Sequence, residues 1–267
     1  MTTLTANSLS VGYQNKLIIQ ELSLSFPKGK ITSLIGPNGS GKSTLLKALA
    51  RVLQPRQGDV LLENNSIFQM STKKVAKKIA LLAQSSESDT GLTVQEVVSF
   101  GRYPYQKGFS SFSQKDVEKI QWALAVTNLS KLADRSMQTL SGGQRQRVWI
   151  AMALAQDTEF LILDEPTTFL DPAHQLEILL LLQEINQEHG KTIIMSIHDL
   201  NLASRFSDQV LALKSGTLLH TGTPQQVITE DNLSEVFEIQ AEIILNQKTN
   251  KPIVLAYDLL KGRDQDE

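Results

Sequence analysis

GPNGSGKST, residues 36–44, follows the apolar stretch ITSLI and opens a helical pattern. Its spacing, G-x-x-x-x-G-K-[ST], is that of a loop whose backbone amides curl around phosphate oxygens at a helix N-terminus. Lys42 supplies a point charge for β- and γ-phosphates, and the Ser43 hydroxyl is a magnesium ligand. Gly36, Pro37, Asn38, Gly39, Ser40, Gly41 and Thr44 complete the cradle. The flanking strand and helix distinguish this loop from a glycine-rich turn with a surface lysine. It is read as a nucleotide site.

Such a site needs an acidic metal partner at the end of a neighbouring strand. FLILDE provides one: Asp164 closes the apolar run and suits magnesium, as a Walker-B aspartate does. Glu165 follows, placed to orient or deprotonate an attacking water, although two adjacent carboxylates also occur as a plain strand-end acidic pair. A second glycine-rich segment, LSGGQRQR at 140–147, stands at the start of another helix. Ser141 and Gln144 have the form of a capping box. Glycine in a helix costs about 0.8–1 kcal/mol relative to alanine, so Gly142 and Gly143 need a further reason. Bare backbone at a helix N-terminus suits the close approach of an anion.

The elements that must position these residues alternate. Strand-like LTANSLSVGY and LIIQELSLSF come first. Short apolar runs then interleave with amphipathic segments: ITSLIG, IALLAQ, FLILDEP, TIIMSIH and QVLALKSG. That pattern predicts an α/β domain with a mostly parallel sheet covered on both faces. Residues 86–158 show helical periodicity with no convincing strand, and read as a helical lobe inserted into a core formed by 1–85 and 159–225. Residues 226–267 read as an appendage with a hairpin turning near Thr249–Asn250.

At 267 residues the chain is long enough to bury a substantial core. A net charge of −2 points neither to nucleic acid nor to an acidic membrane surface. The absence of cysteine excludes disulfides, thiolate metal sites and cysteine nucleophiles. The first residues lack the form of a signal peptide, and LEILLLLQEI at 176–185 is far shorter than the roughly 20 apolar residues of a spanning helix. It reads as a core helix, so any membrane link runs through a partner. Lys73, Lys74, Lys77 and Lys78 read as a solvated face, and Arg145 and Arg147 oppose the macrodipole of their helix.

A phosphate loop alone also fits kinases, GTPases and helicases. The guanine-reading N-K-x-D is missing, since the Asn–Lys pairs are NKLI and NKPI. LSGGQ directly upstream of FLILDE decides among them. With these motifs in this order, the chain resembles the ATP-binding subunits of ATP-binding-cassette (ABC) transporters over essentially its whole length. The resemblance implies a P-loop NTPase core, RecA-like, with N-terminal antiparallel β strands and an inserted helical subdomain. It implies two copies clamping two Mg-ATP head to tail, with Ser141, Gly142, Gly143 and Gln144 of one copy facing the ATP of the other. Tyr13 matches the aromatic that stacks on adenine, and Gln84 the glutamine that reaches magnesium or water at the hinge of the helical lobe. Asp171 matches the aspartate that contacts the partner subunit, and it also suits a cap before an N1 proline. His198 matches the switch histidine on the γ-phosphate, with Glu165 as principal base. His174, His189 and His220 have no ligand-like spacing and read as structural.

Between the motifs, GLTVQEVVSFGRYPYQKGF at 91–109 resembles the corresponding segment of importers of ferric siderophores, haem and cobalamin. EPTTFLD followed by HQLEILLL, and the tail KPIVLAYD, resemble the ferric-hydroxamate members. The implied partners are a second copy, membrane permease subunits and, indirectly, an extracytoplasmic binding protein, with no nucleic acid. The implied location is the cytoplasmic face of the membrane. Two other classes stand beside this reading: a soluble, non-transport ABC ATPase and an unrelated P-loop nucleotide kinase.

Overall fold

The computed structural model describes residues 3–14, 16–83, 91–106 and 111–260. β1 (Leu4–Tyr13) and β2 (Lys16–Phe26) pair antiparallel, β4 (Gln57–Leu62) takes the other edge of β1, and the short β5 (Asn65–Ser66) completes a sheet of order β2-β1-β4-β5. Its inward positions, among them Leu4, Leu9, Val11, Ile19 and Val60, are fully buried.

The second sheet carries the chemistry. It contains β3 (Ile31–Ile35), β6 (Ile79–Leu82), β7 (Phe160–Leu163), β8 (Thr192–Ser196), β9 (Gln209–Lys214) and β10 (Thr217–Gly222), in the order β10-β9-β3-β8-β7-β6. All neighbours are parallel except β10, which runs antiparallel on the β9 edge. The period of two divides the interior into two cores. Leu34, Phe160, Ile162, Ile194, Leu211 and Leu213 point toward the N-terminal sheet and α1 (Lys42–Leu49). Their neighbours Ile35, Leu161, Leu163, Ile193, Met195, Val210 and Ala212 point the other way, into the core shared with the remaining helices. Five apolar runs therefore become one sheet buried on both faces, as the interleaved pattern predicts.

The short α2 (Thr72–Ala76) precedes β6. Between β6 and β7 the described residues form α3 (Val94–Ser99), α4 (Gln114–Val126) and α5 (Gly142–Ala155), three 3-10 turns and one isolated bridge, Thr93 to Ser136. Val97, Ile120, Ala123, Val148 and Ala151 pack these helices together. α6 (Pro172–His189) contains LEILLLLQEI. Asp171 caps it, Pro172 occupies its first turn, and Gly190 ends it at φ 62°. Ile178, Leu179, Leu181, Leu182 and Ile185 are buried, which makes it a core helix. No helix among the described residues is long and apolar enough to cross a membrane.

α7 (Leu200–Phe206), α8 (Pro224–Val227) and α9 (Glu230–Phe237) lead to the antiparallel pair β11 (Ile239–Leu245) and β12 (Pro252–Leu259). The turn between them begins at Asn246, whose side-chain oxygen accepts from Lys248 and Thr249 N–H. Val254 and Ala241 bury one face of this pair against the core.

The lysine segment is less uniformly solvated than its composition suggests. Lys78 pairs with Glu159 and Lys77 lies 4.8 Å above the Tyr105 ring, whereas Lys74 is exposed.

Candidate ATP site and signature cluster

The loop 36–44 joins the end of β3 to the start of α1, so its amides gather at a helix N-terminus beyond the carboxyl edge of the parallel sheet. Gly36, Gly39 and Gly41 hold φ of 148°, 78° and 102°, which shapes the concave turn. Lys42 is 5% exposed, and its Nζ donates to the carbonyls of Gly36 (2.7 Å) and Pro37 (3.1 Å). Burial lowers the Lys42 pKa, opposed by the carboxylates of Glu165 and Asp164. With its own loop the lysine completes a charged cradle that a phosphate oxygen can enter by replacing a carbonyl.

Asp164 leaves the end of β7, and its Oδ1 accepts from Ser43 Oγ (3.0 Å) and from Ser196 Oγ (2.8 Å). Ser196 also accepts the Glu165 N–H at 2.8 Å. One hydroxyl thus ties β8 to both acidic residues. The Glu165 backbone sits at φ 52°, the left-handed region that costs a non-glycine residue energy and occurs where surroundings over-determine it. Both Glu165 oxygens are engaged: Oε2 accepts from Thr168 Oγ1 at 3.0 Å, and Oε1 lies 2.6 Å from His198 Nε2. Tyr13, half-exposed, lines an open cleft of about 220 Å³ with Ile18, residues 38–44 and Glu165. The arrangement sets a buried lysine and a glycine-rich loop beside a carboxylate held at both oxygens, a geometry suited to polyphosphate and an attacking water.

Ser196 belongs to no motif and Thr168 sits within EPTTFLD with no role of its own assigned, so sequence reading passes over both. Ser196 enters because β7 and β8 pair with Leu163 opposite Met195, which brings the next residues of both strands together. Ser196→Ala leaves the Glu165 N–H without its acceptor. It is expected to cost about 1–3 kcal/mol of stability in denaturant unfolding and to lower kcat for ATP. A wild-type kcat would reject this positioning role.

A second cluster forms at the start of α5. Ser141 Oγ accepts Gln144 N–H at 3.2 Å and Gln144 Oε1 accepts Ser141 N–H at 3.1 Å, the reciprocal cap expected from LSGGQ. Asp171 caps α6 beside it, with Oδ1 accepting His174 N–H at 3.0 Å. Ser141, Gly143, Gln144 and His174 line a cavity that, among the described residues, shares none with the cleft at 38–44. Arg145 reaches the Leu140 carbonyl, and Arg147 pairs with Glu177. Gln84 lies outside the described residues. Among the described residues no group of three or more His, Cys, Asp or Glu could hold a metal. Magnesium beside nucleotide typically takes one or two protein oxygens plus phosphates, and Ser43 with Asp164 is such a pair.

A phosphate loop on a central parallel sheet, an antiparallel sheet beside it and a capped glycine pair heading a separate helix define an ATP-hydrolysing cassette. The ABC transporter family model matches residues 19–168, and the chain belongs to that family. The chain is 53% identical to the iron(3+)-hydroxamate import ATP-binding protein FhuC of Bacillus subtilis (strain 168), covering 99% of this chain and 98% of the relative. It is 46% identical to the achromobactin transport ATP-binding protein CbrD of Dickeya dadantii (strain 3937), with the same shares covered. Among solved structures, the dimeric MJ0796, a bacterial ABC transporter cassette, superposes with a TM-score of 0.71 at 28% identity, over 82% of this chain and 98% of that one.

Proposed function

We propose that the chain is the ATP-hydrolysing subunit that energises import of a ferric siderophore, of the hydroxamate type, through a separate permease at the cytoplasmic face of the membrane. The observation that carries its catalytic part is the division of the machinery into two clefts with no described residue in common. One cleft holds polyphosphate, and the other presents a capped helix N-terminus suited to an anion. A second copy turned head to tail brings its Ser141, Gly142, Gly143, Gln144 and Asp171 to the ATP held at 36–44 of the first.

In that sandwich Tyr13 stacks on adenine and Lys42 exchanges loop carbonyls for phosphate oxygens. Ser43 and Asp164 would hold magnesium, with Gln84 as a further ligand; the ion supplies charge neutralisation on the phosphates. Glu165 accepts a proton from water as it attacks the γ-phosphorus and the bond to ADP breaks. His198, now on Glu165, is within reach to follow the phosphate. Loss of the bridging phosphate reopens the dimer. The lobe 86–158, moving about Gln84, passes that change to the permease, while 226–267 is an appendage to the core 1–85 and 159–225.

Full-length similarity to iron(3+)-hydroxamate and achromobactin transport subunits supports the siderophore cargo. Cargo recognition itself belongs to an extracytoplasmic binding protein and the permease. The test is uptake of radiolabelled iron–hydroxamate by cells carrying either the unaltered chain or Glu165→Gln. Loss of iron uptake is expected; loss of haem or cobalamin uptake with iron uptake intact would overturn the cargo. Failure to co-purify with a multi-spanning protein would favour a non-transport ATPase.

Lys42→Ala should weaken Mg-ATP binding by roughly ten- to a hundredfold, the worth of one hydrogen bond to a charged group. Equilibrium binding measures this, and an unchanged affinity would reject the phosphate loop as the cradle.

A further inference from the structure

Helices α5 and α6 begin side by side although their caps, Ser141 and Asp171, are far apart in the chain. Between them stands His174, a half-buried residue with no ligand-like spacing. Its backbone N–H donates to Asp171 Oδ1, and its Nδ1 lies 2.6 Å from Oδ2. The backbone bond first, and the ring bond next, hold the Asp171 carboxyl below its ordinary range. An ionised carboxylate only accepts, so Nδ1 carries the proton.

The Cδ2 side of the ring packs against Gly143 of α5. A Cβ at Gly143 would stand 2.5 Å from His174 Cδ2, 3.1 Å from Cγ and 3.3 Å from Nε2. One at Gly142 would meet nothing nearer than Leu170 Cδ2, at 3.8 Å. The two glycines therefore differ: Gly142 is open to an approaching group, and Gly143 makes room for an imidazole. One turn further, Arg147 Nη2 donates to Glu177 Oε2 at 2.8 Å, a second rung between the same helices.

We infer that His174 is a positioning residue for the ATP of the facing subunit, joining the signature-helix N-terminus and Asp171 into one unit so that both reach that nucleotide together. This rests on the head-to-tail dimer proposed above. Asp171 is held by Nδ1 and Gly143 by the far side of the same ring, so a rotation of the imidazole displaces both groups at once. His174 lines the cavity at the signature helix and is not among the described residues lining the cleft at 38–44. Its loss should therefore spare ATP binding by one copy and impair only what two copies do.

The test uses the full chain carrying Glu165→Gln, in which blocked hydrolysis preserves an ATP-bound dimer. Light scattering gives the ATP concentration for half-dimerisation, and a fluorescent ADP analogue reports binding to the monomer. His174→Ala is expected to raise the half-dimerisation concentration at least roughly tenfold while ADP-analogue affinity stays within about twofold. His174→Asn, whose amide can donate to Asp171 from a position close to that of Nδ1, should recover part of the loss. Gly143→Ala should also impair dimerisation, and should cease to do so in the His174→Ala background, where the colliding ring is gone. An unchanged midpoint in His174→Ala, a parallel loss of ADP-analogue affinity, or a Gly143→Ala defect that persists without the ring would overturn the inference. Failure of Glu165→Gln itself to dimerise in ATP would overturn the sandwich, and the inference with it.

Discussion

Glu165→Gln is expected to hold Mg-ATP as tightly as the unaltered chain and to hydrolyse it about 10²–10⁴-fold more slowly, the range of a lost general base. The substitution changes little but the proton affinity. Glutamine keeps the shape, its carbonyl can still accept from Thr168 Oγ1, and the backbone remains pinned by Ser196. Lys42, Ser43 and the loop glycines lie outside the change. What disappears is a carboxylate aimed into the cleft from an energetically costly left-handed backbone, held at one oxygen by Thr168 and at the other by His198. Single-turnover hydrolysis of radiolabelled ATP, beside equilibrium binding, separates the two effects. Turnover at the unaltered rate would remove Glu165 from the mechanism and leave His198 as the base to examine.

Arg102→Ala should destabilise the protein by about 3–5 kcal/mol, the cost of breaking a buried ion pair from one side. Arg102 is 1% exposed; its Nε donates to Asp116 Oδ1 at 2.8 Å and its Nη1 to the Ala155 carbonyl at 2.6 Å. It thus ties α4 to the last turn of α5, where a cation also complements the helix dipole. Gly101 permits this, since a Cβ there would lie 2.2 Å from the Met152 carbonyl. Burial pushes the Asp116 carboxyl up, but hydrogen bonds from Ser113 and Arg102 outweigh it and hold the group below its ordinary value. A depressed native pKa stabilises fully above the unfolded value of about 3.9, and that contribution fades as pH falls through the lower native value. Without Arg102 that loss should begin at higher pH. Denaturant unfolding at pH 7 and at pH 4 checks both statements, and a loss under about 1 kcal/mol at pH 7 would show that the pair is dispensable.

The phosphate loop, Asp164–Glu165 and the Ser141–Gln144 cap were legible because each is local. Their residues are neighbours in the chain, so spacing alone carries the geometry. The strands were legible for a related reason: short apolar runs interleaved with amphipathic segments fit a parallel sheet covered on both faces. Asp171 as a helix cap followed from the proline after it, and the structure bears this out. His174 was read as merely structural, since only the packing of α6 on α5 brings its ring to Gly143. Arg102 stood in a recognised segment with no physical reason attached, because its partners are 14 and 53 positions away.

The sequence by itself determined a phosphate-binding loop with its acidic partner and, through LSGGQ upstream of FLILDE, the family whose resemblance implies ATP hydrolysis, since a phosphate-binding loop and a helix cap are contiguous devices that spacing alone reveals. Tertiary structure alone decided which hydroxyl braces the acidic pair, what the second signature glycine accommodates and how the helices between β6 and β7 are fastened. Those contacts depend on strand register and helix packing, where side chains distant in sequence meet only after two cores have formed on opposite faces of one sheet.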